Sequence, residues 1–201
     1  MDKRPKTLRE NPINILFYVF VMRRISQITT VTAAATFLAF AIMSSTTITP
    51  ALAQPSYTQL IKATAATTPG SVHLSVTTAG NIPRFPDSFI QSVLVFGYAW
   101  LNNGQGLVAV IHPGFKDSFQ NPSEWHTHTV VLSGACIKQL GTSQAGITIT
   151  MTNNALGVNT GIAQAGSSIP NGSASFIVQK DPACTDTGLG VQVLSQVAIT
   201  H

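Results

Sequence analysis

Two apolar runs separated by an Asn-Asn-Gly turn constrain this chain more than any other feature. Residues 90–101 and 107–112 are largely apolar and flank Asn102-Asn103-Gly104-Gln105-Gly106. Asn-Gly is the preferred central pair of a type I′ hairpin turn, because both central positions need positive φ and the turn's twist matches that of the strands it joins. Centring the hairpin on Asn103-Gly104 sets Trp100 opposite Leu107, Tyr98 opposite Ala109 and Phe96 opposite Ile111. The other face pairs Ala99 with Val108, Gly97 with Val110 and Val95 with His112. Both faces are apolar, so the hairpin is expected to be central and covered on both sides. Were one face open, the row Phe96, Tyr98 and Trp100 would be the first candidate surface for a second copy or an extracellular protein or glycan partner.

The rest of the C-terminal part is read around this hairpin. Val72, Leu74 and Val76 alternate with polar neighbours, as a half-buried strand requires. Residues 79–87 hold Gly80, Pro83 and Pro86 and read as a loop, and 113–123 as a second one. Strand character returns at 125–132, at 147–152 (Ile147, Ile149 and Met151 on one side), at 174–179 and at 190–200. Residues 155–173, rich in Gly, Ser and Asn, read mostly as loop. Tyr57, Leu60, Ile61 and Ala65 fall at helical spacing, so 54–70 is a lead-in, either a short helix or a Thr-rich tether, before a β-domain at 71–201. Seven or eight short strands with no long helical period between them indicate an all-β domain. A β-sandwich of immunoglobulin-like or related type is expected, with a closed barrel as the alternative.

The formal charge of +4 over 201 residues looks basic, but its location matters. Six of the 11 Lys and Arg and two of the 7 acids precede residue 54, so residues 1–53 carry all of the net charge and 54–201 are neutral. A neutral β-domain offers no electrostatic footprint for nucleic acid, and no polybasic patch or membrane span is expected in it. The N-terminal part has the layout of a secretory signal: Arg23 and Arg24, an apolar stretch at 31–43, and Ala51-Leu52-Ala53 as a small-x-small cleavage site. Residues 1–53 are therefore expected to be a leader, with Met22 as an alternative start, cleavage after Ala53, and a secreted or extracytoplasmic destination (cell surface or periplasm). The alternative is a leader retained as an anchor. Export would favour a disulfide between the two cysteines, Cys136 and Cys184. It would also make Asn171-Gly172-Ser173 a candidate glycosylation sequon.

One segment has the character of a site. In Glu124-Trp125-His126-Thr127-His128, the two histidines project from one face of a strand, about 6.5–7 Å apart along it. That spacing lets two imidazoles converge on one ion. Glu124 shares their parity if the strand starts early enough, and His112, ending the preceding strand, supplies a third nitrogen. Three imidazoles with a carboxylate or water suit zinc or copper. His73, among Ser and Thr, reads as solvated, and the terminal His201 carries no signal. No G-x-S-x-G elbow, P-loop or HExxH motif occurs, and no pair of carboxylates is singled out by spacing.

The order His126, His128, Cys136, Cys184 resembles the copper/zinc superoxide dismutases, β-sandwiches of this size, often exported, with an HxH pair on a strand, a Cys shortly after it and a second Cys near the C-terminus. The further downstream histidines of that family are missing here, since only His201 follows His128. The resemblance therefore implies no dismutase activity. A cupin-like reading is partial, because Thr129-Val130-Val131-Leu132 stands where that family has a Glu after its HxH. Neither cysteine has the closely following His of a blue-copper domain. Two functional readings follow. One is a non-catalytic extracellular binding or structural module. The other is a metal-binding extracytoplasmic protein that uses the HxH strand.

Overall fold

The structure is a computed structural model that describes residues 53–114, 121, 123–142, 146–161 and 169–201. The leader features expected before residue 53, and most of the 113–123 loop, lie outside the described residues. The described part is all-β. Ten strands run in chain order: β1 (Leu60–Thr68), β2 (Ser71–Thr78), β3 (Val95–Asn102), β4 (Gln105–Ile111), β5 (His126–Ser133), β6 (Cys136–Leu140), β7 (Thr148–Met151), β8 (Ala155–Thr160), β9 (Gly172–Lys180) and β10 (Leu189–Thr200). A 3-10 turn (Ser56–Thr58) precedes β1, and a five-residue helix, α1 (Ser88–Ser92), precedes β3.

The hairpin register is the one the turn dictates. Trp100 pairs with Leu107, Tyr98 with Ala109, Phe96 with Ile111 and Ala99 with Val108. Asn103 and Gly104 both have positive φ, 49° and 75°, as a type I′ turn demands. Both faces are covered. Phe96, Tyr98, Trp100, Leu107, Ala109 and Ile111 meet Ala63, Ala65, Val72, Leu74, Val76, Leu156 and Val158 from β1, β2 and β8 in one core. Ala99, Val108 and Val110 join Val130, Ile137, Phe176 and Val178 in a second core. The aromatic row is therefore core and not a surface.

Hydrogen bonding joins all ten strands in the order β6-β5-β4-β3-β9-β10-β1-β2-β8-β7; the ladders of β1, β2, β7 and β8 meet those of β3, β4, β5, β6 and β9 only through β10. β10 is the hinge of this arrangement. Its length of 12 residues and an irregularity between Val193 and Ser195 let it run antiparallel to β9 and then lie parallel to β1, with Ala63 opposite Ile199. The start of β10 also pairs with β6, Gly190 opposite Cys136. The pairings of β3, β4, β5, β6, β10 and β9 thus return on themselves. All six strands contribute to the second core, β10 through Leu189 and Val191 packed against it.

Three local expectations change, and one further strand is added. Residues 60–68 form a strand, not a helix or tether. Pro69 and Gly70 (φ 82°) close a tight turn that pairs Thr68 with Ser71, and the inward residues are Leu60, Ala63 and Ala65 while Ile61 is exposed. Ile90 belongs to α1 and not to β3, because the Asp87 carboxylate accepts the Ile90 N–H and caps a helical turn. Residues 155–160 are a strand between β2 and β7: Leu156, Val158 and Thr160 are buried, and Gly157 and Asn159 on the other parity hide the alternation. Residues 136–140 form β6, whose single buried apolar side chain, Ile137, gives almost no periodic signal.

The disulfide expected between Cys136 and Cys184 is present, with Cα atoms 5.2 Å apart. It lies at the β6–β10 junction, where Val191 N–H donates to Ala135 O (2.7 Å) and Thr187 Oγ1 to Ile137 O (2.5 Å).

The first core also holds a polar thread. Tyr57 Oη–H donates to the Asp87 carboxylate (2.8 and 2.9 Å to its two oxygens), and Tyr98 Oη–H donates to Tyr57 O at 2.8 Å. Burial pushes both phenols far above the ordinary tyrosine range, helped at Tyr57 by the hydrogen bond to Asp87 and its charge. The unfolded chain ionises its tyrosines near pH 10 and the folded one only well above it, so stability is full below pH ~10 and falls as pH rises beyond it. We expect phenolate absorbance of Tyr57 and Tyr98 and loss of near-UV circular dichroism to appear in one cooperative step above pH ~10. Gradual phenol ionisation with the core signal intact would contradict this. Trp100, 0 % exposed, is expected to cost about 3–5 kcal/mol on Trp100→Ala, read from denaturant unfolding.

Candidate metal centre

The candidate site is built by the pairing of β5 with β4. Val110 lies opposite His126 and Val108 opposite His128. Directly opposed residues project to the same face, so the even-numbered side chains of both strands share one side. That side is the second core, which contains Val108, Val110 and Val130. The odd-numbered Trp125 goes to the first core instead. It stacks on Tyr98 at 5.5 Å between centroids, and its Nε1–H donates to Pro83 O at 2.8 Å. Trp125 thereby pins the entry to β5 and fixes which face the two following even residues take. His112, one residue past β4 and two past Val110, continues the row.

The three histidines come together as the sequence predicts. His112, His126 and His128 are 5 %, 2 % and 8 % exposed, and one nitrogen of each lies within 4.8 Å of the other two. Ring centroids are 4.5 Å apart for His112–His126, 5.0 Å for His126–His128 and 6.3 Å for His112–His128. His126 Nδ1 lies 2.8 Å from Glu124 O, and His128 Nδ1 lies 2.9 Å from Gly141 O. A carbonyl only accepts, so both Nδ1 atoms carry the proton. In the neutral rings that leaves the lone pair on Nε2, the usual donor arrangement of a metal-ligating histidine whose other nitrogen is held by a carbonyl. His112 Nε2 is 2.7 Å from His126 Nε2, which makes His112 the donor and His126 the acceptor between those two rings.

Zinc–nitrogen bonds of 2.0–2.1 Å in a tetrahedral shell place the nitrogens about 3.4 Å apart. The 2.7 Å pair would open by less than an ångström to admit an ion, and the other nitrogens already lie within 4.8 Å of one another. Among the described residues the donor set is three imidazoles with no carboxylate or thiolate, which suits zinc or copper(II) over calcium or magnesium. A tetrahedral shell has room for a fourth ligand beside them.

Glu124, expected to share the histidines' face, contributes its backbone and not its side chain. β5 begins at His126, so the strand alternation does not extend back to Glu124. Its carboxylate is exposed, 3.4 Å from Asn121 Nδ2, on a groove of about 310 Å³ that is also lined by Arg84, Phe85, Trp125, Ile149 and Met151. His73 and His201 are exposed, away from the site. Asn171 is exposed before β9, where its N–H donates to Leu101 O, while Ser173 of the same sequon is buried and donates to Ala99 O.

Sequence reasoning missed Gly141, the residue that orients His128. A Cβ there would require the Thr129 hydroxyl to rotate away, and the Gly141 N–H donates to Thr129 O at 2.8 Å. A lone glycine after an unrecognised strand carries no sequence signal for this role. No protein-family model, curated protein or solved structure matches the chain.

Proposed function

We propose that this chain is an extracytoplasmic metal-binding β-domain in which Nε2 of His112, His126 and His128 holds one zinc or copper ion. The observation that carries the reading is the convergence of three buried imidazoles, two of them with Nδ1 fixed on backbone carbonyls. Burying imidazoles beside Val108, Val110 and Val130 costs desolvation, and two Nε2 atoms 2.7 Å apart cannot both carry protons. A divalent cation would take the place of the His112 Nε2 proton, which would pass through solvent to His112 Nδ1, and would bind all three rings.

The Cys136–Cys184 disulfide is compatible with an oxidising compartment, and among the described residues no helix is long and apolar enough to cross a membrane. Together with the signal-like leader, these favour a location outside the cytoplasm. Phe96, Tyr98 and Trp100 are buried, so this row is not available as an interaction surface.

The test is metal titration of chelator-treated protein. We expect one zinc or copper(II) ion per chain and a thermal shift that grows with free metal, corresponding to about 2.7 kcal/mol at a hundredfold excess over Kd. His126→Ala/His128→Ala is expected to abolish stoichiometric binding, and Glu124→Gln to leave it unchanged. Absence of stoichiometric metal in the unaltered protein, with its fold intact, would reject the reading.

A further inference from the structure

The disulfide and the histidines are joined by two physical connections. The first runs along β6. Cys136 opens this strand, and Gly141, whose carbonyl orients His128, follows its last residue. Lys138, Gln139 and Leu140 are exposed, so β6 has little apolar anchorage of its own beyond Ile137. It is held on one side by β5 and on the other by the junction with β10. That junction consists of one residue pair (Gly190–Cys136), the Val191–Ala135 and Thr187–Ile137 hydrogen bonds, and the disulfide. The second connection is the second core. The histidines share a face with Val108, Val110 and Val130, and Ile137 of β6 and Val191 of β10 pack into the same cluster from the two sides of the junction. Opening the junction would release the strand leading to Gly141 and let water reach the face on which the imidazoles converge.

We infer that the Cys136–Cys184 disulfide is a positioning element of the histidine site, so that the chain binds metal tightly only after the disulfide has formed. The inference rests on the metal reading above. Closing the bond removes two electrons and two protons from the two thiols and passes them to a disulfide-bearing oxidant, which leaves as a dithiol. The bound ion keeps its oxidation state. A reduced chain still in a thiol-rich compartment would then hold metal poorly, and oxidative maturation would assemble the site. Removing a partner that orients a metal ligand typically weakens affinity 10–100-fold.

The experiment compares zinc affinity of the purified oxidised protein with that of Cys136→Ser/Cys184→Ser, which has no thiols to bind zinc adventitiously. Near-UV circular dichroism of the aromatic core reports whether the variant is folded. We expect at least tenfold weaker binding in a folded variant. Equal affinities would overturn the inference while leaving the metal reading intact, whereas no binding by the oxidised protein would overturn the metal reading itself.

If the variant does not fold, the unaltered protein decides. Coupling is reciprocal, so zinc must stabilise the disulfide by the same factor by which the disulfide strengthens zinc binding. In glutathione redox buffers at fixed free zinc, a tenfold coupling moves the thiol–disulfide midpoint about 30 mV toward more reducing potentials. An unmoved midpoint would overturn the inference. A purely structural disulfide, indifferent to the histidines, would show no such shift.

Discussion

The antiparallel register between β4 and β5 is the constraint on which the candidate site depends. Val110 faces His126 and Val108 faces His128, and this places three imidazoles on one side of the sheet and Trp125 on the other. Because side chains alternate with a period of two, a slip of one residue would drive His126 and His128 into the aromatic core and Trp125 into the aliphatic one. Trp125 guards against that slip twice, through its stack on Tyr98 and its hydrogen bond to Pro83 O. The hairpin turn at Asn103-Gly104 fixes β4 relative to β3, so the site inherits its geometry from a turn at the far end of the same strand.

The two cores divide the labour. The first, with Trp100, Tyr98 and Phe96 fully buried, joins β1, β2 and β8 to the β3–β4 hairpin. The second is smaller, aliphatic apart from Phe176, and drawn from the six strands whose pairing closes on itself. The histidines lie at the margin of this second core, buried yet hydrogen-bonded, and the disulfide lies at the junction that closes it. In a domain with so few charges, three clustered imidazoles and one crosslink stand out beside the Tyr98–Tyr57–Asp87 thread of the first core. Both fall on those six strands and the segments that flank them.

Much of the all-β character, the hairpin register, the disulfide pair and the three histidines could be read from sequence, each for a local reason. Asn-Gly chemistry sets the register, period-two alternation sets β2, and the HxH spacing puts two rings on one face. Strands whose local pattern is weak were not legible. β8 alternates Leu156 and Val158 with Gly157 and Asn159, which look like loop residues, and β6 buries Ile137 alone. β1 carries apolar residues at both parities and is defined by its partners. Glu124 was misplaced as a side-chain donor because the start of a strand is set by tertiary pairing, here by the anchoring of Trp125. The orienting role of Gly141 is a backbone role, and a sequence marks backbone donors and acceptors at every residue alike.

In the proposed site, three imidazole nitrogens from this chain form one metal shell. X-ray absorption at the zinc edge of the loaded protein measures that shell directly. Three or four nitrogen or oxygen neighbours are expected at about 2.0–2.1 Å, with the multiple-scattering signature of three imidazoles and no sulfur. A shell containing sulfur near 2.3 Å, or one with no imidazole signature, would contradict the proposed site.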